Sequence, residues 1–222
     1  MANTLTTIEK LPTAIHQYSV IWMHGLGADG HDFEGLVPEL NFQQKPHVHF
    51  IFPNAPIQPV TINGGMNMRS WYDIVEMTLE RKVDVAGIYQ SAAAINLLIQ
   101  QELAKGIAAE NIVLAGFSQG GVIALHTALR FPQKLGGVLA LSTYLPTIAQ
   151  LDTEAAAVNA HLPIFMAHGT LDPVVDISYA KRASDALQAR NYPVQWREYP
   201  MQHSLCAQEV KDISVFFTQV FP

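Results

Sequence analysis

NIVLAGFSQGGVIALHTALR, residues 111–130, runs from an unbroken apolar stretch through a glycine-fenced serine into a segment of helical period. Ile112, Val113, Leu114 and Ala115 read as a strand covered on both faces, and residues 122–130 read as the helix that follows. Between them, Gly116-Phe117-Ser118-Gln119-Gly120 fits G-x-S-x-G. The pattern has a steric reason. A serine held on a sharp strand-to-helix turn stands exposed at the edge of a sheet, and glycines two positions to either side let strand and helix approach closely. In this context the motif predicts a nucleophile elbow.

Working outward, short apolar runs at residues 18–23, 48–52, 137–141, 164–166 and 194–199 read as further strands, several of them almost wholly apolar. Segments of helical period lie between them. Residues 85–103 carry Ile88, Ala92, Ile95, Ile99 and Leu103 on one stripe, with Gly106 placed to end the helix. The last helix repeats Cys206, Val210, Ile213, Phe217 and Val220 at steps of four and three, which predicts Cys206 as a packing residue. This alternation predicts an α/β fold: one domain over residues 1–222, with a mostly parallel central sheet and helices on both faces. Residues 53–71 resist the scheme, with three prolines and Gly64-Gly65, and predict a long functional loop.

A serine hydroxyl needs a basic partner to act as a nucleophile, and on this type of sheet the order is Ser, then Asp or Glu, then His. Beyond the helix that follows Ser118, only His161, His168 and His203 remain. His203 lies in the loop after the last strand and before the last helix, at the C-terminal edge of the sheet, where such sites form. Asp172, in His168-Gly169-Thr170-Leu171-Asp172-Pro173, follows a strand and is held extended by Pro173. Asp152, Glu154, Asp176 and Asp185 read instead as acids at helix starts or on exposed helix faces. Backbone N–H groups of Gln119 and of Leu26, in His24-Gly25-Leu26-Gly27, are the expected oxyanion donors.

The 222 residues carry a net charge of −6 and no cluster of Lys or Arg, which disfavours nucleic acid as a partner. Neither a leader nor an apolar run long enough to span a bilayer is visible, so a cytoplasmic protein without stable membrane insertion is expected. Cys206 is the single cysteine, so no internal disulfide forms. His47 and His49 share one face of a strand, but no third ligand of recognised spacing accompanies them, and a structural role is expected. Asn63-Gly64-Gly65 lacks the lysine and helix of a phosphate cradle.

Taken together, His24-Gly25-Leu26-Gly27, Pro53-Asn54-Ala55-Pro56, Trp71-Tyr72-Asp73, the Ser118 motif, Asp172-Pro173-Val174-Val175 and His203-Ser204 resemble the phospholipase/carboxylesterase family, which includes the acyl-protein thioesterases. The resemblance covers residues 21–217. It implies a compact α/β hydrolase fold and a Ser118–His203–Asp172 mechanism with no cofactor and no metal. The implied substrates are carboxylic esters, acyl thioesters, lysophospholipids or acylated proteins. It also makes Met66, Met68 and Trp71 candidate substrate-binding residues beside an acyl groove, and makes a homodimer an expectation. The family often has His-Gly-Leu-Gly-Asp; here Ala28 intervenes before Asp29, which puts the local hydrogen bonds in question. The alternative reading is a non-catalytic protein that keeps the fold to bind acyl groups or a partner.

Overall fold

The computed structural model describes residues 5–76 and 84–221. Its elements are β1 (Thr7–Lys10), β2 (Tyr18–Met23), α1 (His31–Glu34), β3 (Val48–Pro53), β4 (Ile57–Val60), β5 (Met66–Arg69), α2 (Val85–Ala104), β6 (Ile112–Phe117), α3 (Gln119–Arg130), β7 (Gly137–Leu141), α4 (Leu151–Glu154), β8 (Ile164–Gly169), α5 (Ile177–Gln188), β9 (Val194–Tyr199) and α6 (Ala207–Val220). Seven strands form one sheet in the order β1-β3-β2-β6-β7-β8-β9. Only β1 runs antiparallel to its neighbour; every other pairing is parallel.

Every residue of β2, β3, β6, β7 and β8 is buried, as strands covered on both faces require. Side-chain alternation sorts them between two cores. Ile21 and Met23 pack with Ile88, Ile95, Val122 and Leu187 of α2, α3 and α5. Val20 and Trp22 point the other way, to Phe33 of α1 and to Ile213, Phe216 and Phe217 of α6. The α/β hydrolase architecture expected from the sequence is therefore present.

The strand order also fixes where chemistry can occur. The chain passes from β2 outward to β3 and then returns to β6 on the other side of β2. That reversal opens a crevice at the C-terminal ends of β2 and β6, the usual location of a site on such a sheet. The His24-Gly25-Leu26-Gly27 loop leaves β2 there, and Ser118 leaves β6.

Residues 53–71 differ from the expected irregular loop. Pro53 completes β3, and β4 and β5 pair as an antiparallel hairpin with Ile57 opposite Arg69 and Val60 opposite Met66. The turn rests on Gly64 and Gly65, at φ of 67° and 78°, values that glycine adopts without strain. Pro59 is tolerated because this ribbon has two free edges. Cys206 also differs: it stands just before α6 rather than in it and is only partly buried, although it does pack against the second core.

Glu209, in the first turn of α6, is fully buried. Burial, and then the charge of Asp212, push its carboxyl up to about 8 against the opposing pull of the Cys206 backbone. Between its ordinary value and about 8 the folded chain holds a proton that the unfolded chain has lost, so stability falls as pH rises through that window. Glu209→Gln, which carries no charge at any pH, should raise stability at pH 8 by roughly 4 kcal/mol and leave it nearly unchanged at pH 4. Urea unfolding at the two pH values checks this; an equal effect at both would remove the titration as its cause.

Candidate active site

Ser118 sits between β6 and α3 at φ 54°, ψ −119°, a backbone conformation that non-glycine residues rarely adopt. The turn is held from three sides. Ser118 N–H donates to the Leu141 carbonyl at 2.9 Å, Thr143 Oγ1 donates to the Ser118 carbonyl at 2.7 Å, and Gly121 N–H donates to that carbonyl at 3.0 Å. The glycines account for the motif. A Cβ on Gly116 would lie 2.2 Å from the carbonyl carbon and oxygen of Gly120, and one on Gly120 would lie 2.2 Å from the Met23 carbonyl oxygen. Strand, turn and helix touch backbone to backbone.

The structure brings His203 and Asp172 together, with His203 Nδ1 at 2.6 Å from Asp172 Oδ2. The other carboxylate oxygen accepts the N–H groups of Val174 at 2.8 Å and Val175 at 2.9 Å. Burial alone would raise the Asp172 pKa; the bonds from His168, His203, Val175 and Val174 outweigh it and hold the carboxyl far below its ordinary value. Asp172 is therefore a fixed anion, and it selects the His203 tautomer with the proton on Nδ1, leaving Nε2 as the free base. His203 also packs on Phe117, with ring centroids 4.7 Å apart.

A second histidine, to which chain order alone assigns no role, supports the pair. His168 is completely buried, and its Nε2 lies 2.8 Å from the Val175 carbonyl and 3.3 Å from Asp172 Oδ2. One N–H shared between these acceptors ties the Asp172 loop to the end of β8. The other rivals lie elsewhere: Asp152 pairs with Arg190, Glu154 with Arg130, Asp185 with Lys181, Asp176 caps α5 and His161 is exposed.

The loop after β2 is set by His24, which is buried. Its Nε2 accepts the Ala55 N–H at 3.0 Å, so Nδ1 carries the proton and donates to the Gly25 carbonyl at 2.7 Å. Burial lowers its pKa, which suits this neutral form. Gly27, at φ 78°, donates to the Arg69 carbonyl at 2.9 Å. Among the described residues no acceptor takes the N–H of Leu26 or that of Gln119. The question raised by Ala28 resolves locally: Asp29 Oδ1 accepts the His31 N–H at 2.9 Å at the start of α1.

Gln119 contributes more than its backbone. Its buried side chain accepts the Trp71 N–H at 3.0 Å and donates to the Tyr72 carbonyl at 2.7 Å, stitching the start of α3 to residues 70–72. Trp71 corrects an expectation. Rather than walling a groove, it is 1% exposed, and its indole donates to the His24 carbonyl at 2.9 Å as a strut behind the loop. Met66 is 64% exposed on the hairpin, while Met68 Sδ accepts from Asn63 Nδ2 at 3.2 Å and lies 3.9 Å from where a Cβ on Gly27 would stand.

Ser118 and His203 line one cavity of 260 Å³ with Gly25, Leu26, Asp32 and Phe117. An adjoining space of 430 Å³ shares Asp32, Phe117 and His203 and continues between Phe33, Leu36 and Leu205. Burial, and then the charge of Asp29, raise the Asp32 pKa. These wall residues come from α1 and the turn after it, from the end of β6 and from the loop before α6, not from the hairpin that carries Met66 and Met68.

With this geometry in place, comparison identifies the lineage. The profile of the phospholipase/carboxylesterase family matches residues 6–221. The chain belongs to that family. It is 41% identical over 219 residues to acyl-protein thioesterase 1 of Neurospora crassa, covering 94% of this chain and 89% of that relative. It is 40% identical over 228 residues to acyl-protein thioesterase 1 of Mycosarcoma maydis, covering 95% and 92%. The crystal structure of Arabidopsis thaliana SOBER1 superposes with a TM-score of 0.88 at 29% identity, covering 93% of this chain and all of that one. Among the described residues no helix is long and apolar enough to cross a membrane.

Proposed function

We propose that the chain is a serine hydrolase that cleaves acyl thioesters and carboxylic esters, with Ser118 as nucleophile, His203 as general base and acid, and Asp172 as the fixed counter-charge. The observation that carries this reading is the 2.6 Å His203–Asp172 pair, opening on a cavity that His203 shares with a strained serine. His203 Nε2 takes the proton of Ser118 Oγ as Oγ bonds to the acyl carbon. The carbonyl oxygen becomes an oxyanion, held by the N–H groups of Leu26 and Gln119, each donor contributing about 3 kcal/mol at the transition state. His203 then protonates the departing thiolate or alkoxide, and water repeats the path on the acyl-enzyme. The apolar space walled by Phe33, Leu36 and Leu205 receives substrate carbons, and a charged Asp32 at its edge repels the carboxylate product.

Acylated proteins and lysophospholipids, met in the cytosol, are the substrates this reading favours. The supporting relatives are named as acyl-protein thioesterases, and the site is built for acyl transfer in general. Two measurements test it together. Purified protein should turn over p-nitrophenyl esters and an acyl thioester, and Asp172→Asn should lower kcat on both by about 10⁴-fold through loss of the correct His203 tautomer. Inert wild-type protein, or an Asp172→Asn variant as fast as wild type, would overturn it.

A further inference from the structure

At the opposite end of the sheet from Ser118, three side chains from distant parts of the chain converge: His16 from the segment before β2, His49 from β3 and Glu102 from the last turn of α2. Glu102 is 1% and His49 2% exposed. Glu102 Oε2 lies 3.4 Å from His16 Nε2 and 3.3 Å from His49 Nδ1, and the two imidazole rings stand edge-on at 87° with centroids 5.3 Å apart. His47, the partner that strand alternation would suggest, is bonded instead to the Ile15 carbonyl.

We propose that His16, His49 and Glu102 form a binding site for a divalent transition-metal ion of the zinc class, separate from the candidate active site. The geometry supports this in three ways. Zinc–nitrogen and zinc–oxygen bonds of about 2.0–2.2 Å in a tetrahedron place ligand atoms roughly 3.3–3.5 Å apart, the spacing that Oε2 keeps from both imidazole nitrogens. The two carboxylate oxygens of Glu102 have separate partners, because Lys105 Nζ holds Oε1 at 2.5 Å and leaves Oε2 to the histidines and Ser19. His49 also has the outer partner that metal-binding imidazoles usually keep: its Nε2 lies 3.0 Å from Glu9 Oε2.

That last contact allows binding without an uncompensated proton. With the ring proton on Nε2 and donated to Glu9, His49 Nδ1 presents its lone pair toward Glu102 Oε2 and the ion. Ser19 Oγ, 2.6 Å from Glu102 Oε2 and 3.0 Å from His16 Nε2, stands too close to Oε2 to be a ligand itself and is positioned to hold the water that would be the fourth ligand. Two imidazoles and a carboxylate without a thiolate suit zinc or cobalt over softer ions. Such an ion would clamp the β1, β2 and β3 edge to the end of α2. Ser19 pairs with Ile112 in the sheet, and Ser118 follows six positions later, so the ion would lie about 20 Å from the nucleophile and take no part in acyl transfer.

The test uses the intact chain, stripped with a chelator and titrated with cobalt(II). The expected result is one equivalent bound, with the visible absorption of four-coordinate cobalt, discharged by zinc. Zinc at a hundredfold excess over its Kd should also raise Tm by about 5 °C or more. His16→Ala is the variant to compare, since His16 is partly exposed and its removal leaves the Glu102–Lys105 and Ser19–Glu102 bonds in place. It should weaken binding at least about tenfold, whereas His31→Ala, on an exposed pair with Glu34, should not. Absence of the cobalt absorption, or equal affinity in His16→Ala and wild type, would overturn the proposal. Neither readout depends on turnover, so its failure is separable from failure of the hydrolase reading.

Discussion

Ser118→Ala lowers kcat on p-nitrophenyl esters and on acyl thioesters by about 10⁴-fold or more, and leaves the melting temperature within a degree or two of wild type. Both halves follow from the turn. The reaction needs an oxygen at this position to form the acyl-enzyme, and the neighbouring residues cannot provide one: Phe117 and Gln119 flank it, and the Thr143 hydroxyl is spent on the Ser118 carbonyl. The residual rate would come from the Leu26 and Gln119 amides and from substrate binding, which act on water attack as well. Stability stays level because alanine keeps the Cβ, so the strain at φ 54° is the same in both proteins. Ser118→Gly separates the two effects. It should lose turnover to the same degree but gain stability, since glycine relieves a backbone cost of about 1–3 kcal/mol. If Ser118→Ala keeps its rate, the nucleophile lies elsewhere and the triad assignment falls with it. If it loses both rate and fold, the serine hydroxyl is structural.

What can be read from the sequence is whatever a single local rule determines. Strands buried on both faces announce themselves as apolar runs, and β2, β3, β6, β7 and β8 are visible for that reason. β1 is not: Thr7-Ile8-Glu9-Lys10 is short and polar but for Ile8, an edge strand recognisable only from its antiparallel pairing with β3. The β4–β5 hairpin hides behind Pro59 and two strands of four residues each, although the Asn63-Gly64-Gly65 turn is a usable signal. At the site, chain order and strand ends lead to Ser118, Asp172 and His203. Tertiary contacts decide the rest. Trp71 lies in a segment that looks like a lid, yet its place is set by Gln119 and His24, 48 and 47 positions away. The groove walls, Phe33, Leu36 and Leu205, are adjacent only once α1 and the loop before α6 reach the same strand end. The His16–His49–Glu102 cluster has no spacing at all that could betray it, because Glu102 stands 53 residues from the nearer histidine.

Gly120→Ala, by contrast, should unfold or severely weaken the protein, lowering stability by about 4 kcal/mol and Tm by roughly 10 °C. Two effects of opposite sign compete at this position. Gly120 lies in the first turn of α3, and alanine is the better helix former by up to about 1 kcal/mol, so propensity alone predicts a gain. Contact predicts the reverse. The added methyl would lie 2.2 Å from the Met23 carbonyl oxygen, 2.6 Å from its carbon and 2.7 Å from the His24 carbonyl oxygen. All three are backbone atoms at the end of β2, so no side-chain rotation can make room, and either the helix start or the β2 end must shift. Any such shift also separates the Leu26 and Gln119 amides, one on each side of the contact. A variant that still folds should therefore lose a further 10²-fold or so in kcat, as expected when one oxyanion donor is displaced. Gly35→Ala is the matched control: no atom lies within 4 Å of the place its methyl would take, its φ is −67°, and its stability should stay within about 0.5 kcal/mol of wild type. Thermal unfolding of the pair decides the matter. A Gly120→Ala protein that melts as high as Gly35→Ala would mean that β2 and α3 are not in backbone contact, and the close approach that explains the G-x-S-x-G motif in this chain would have to be abandoned.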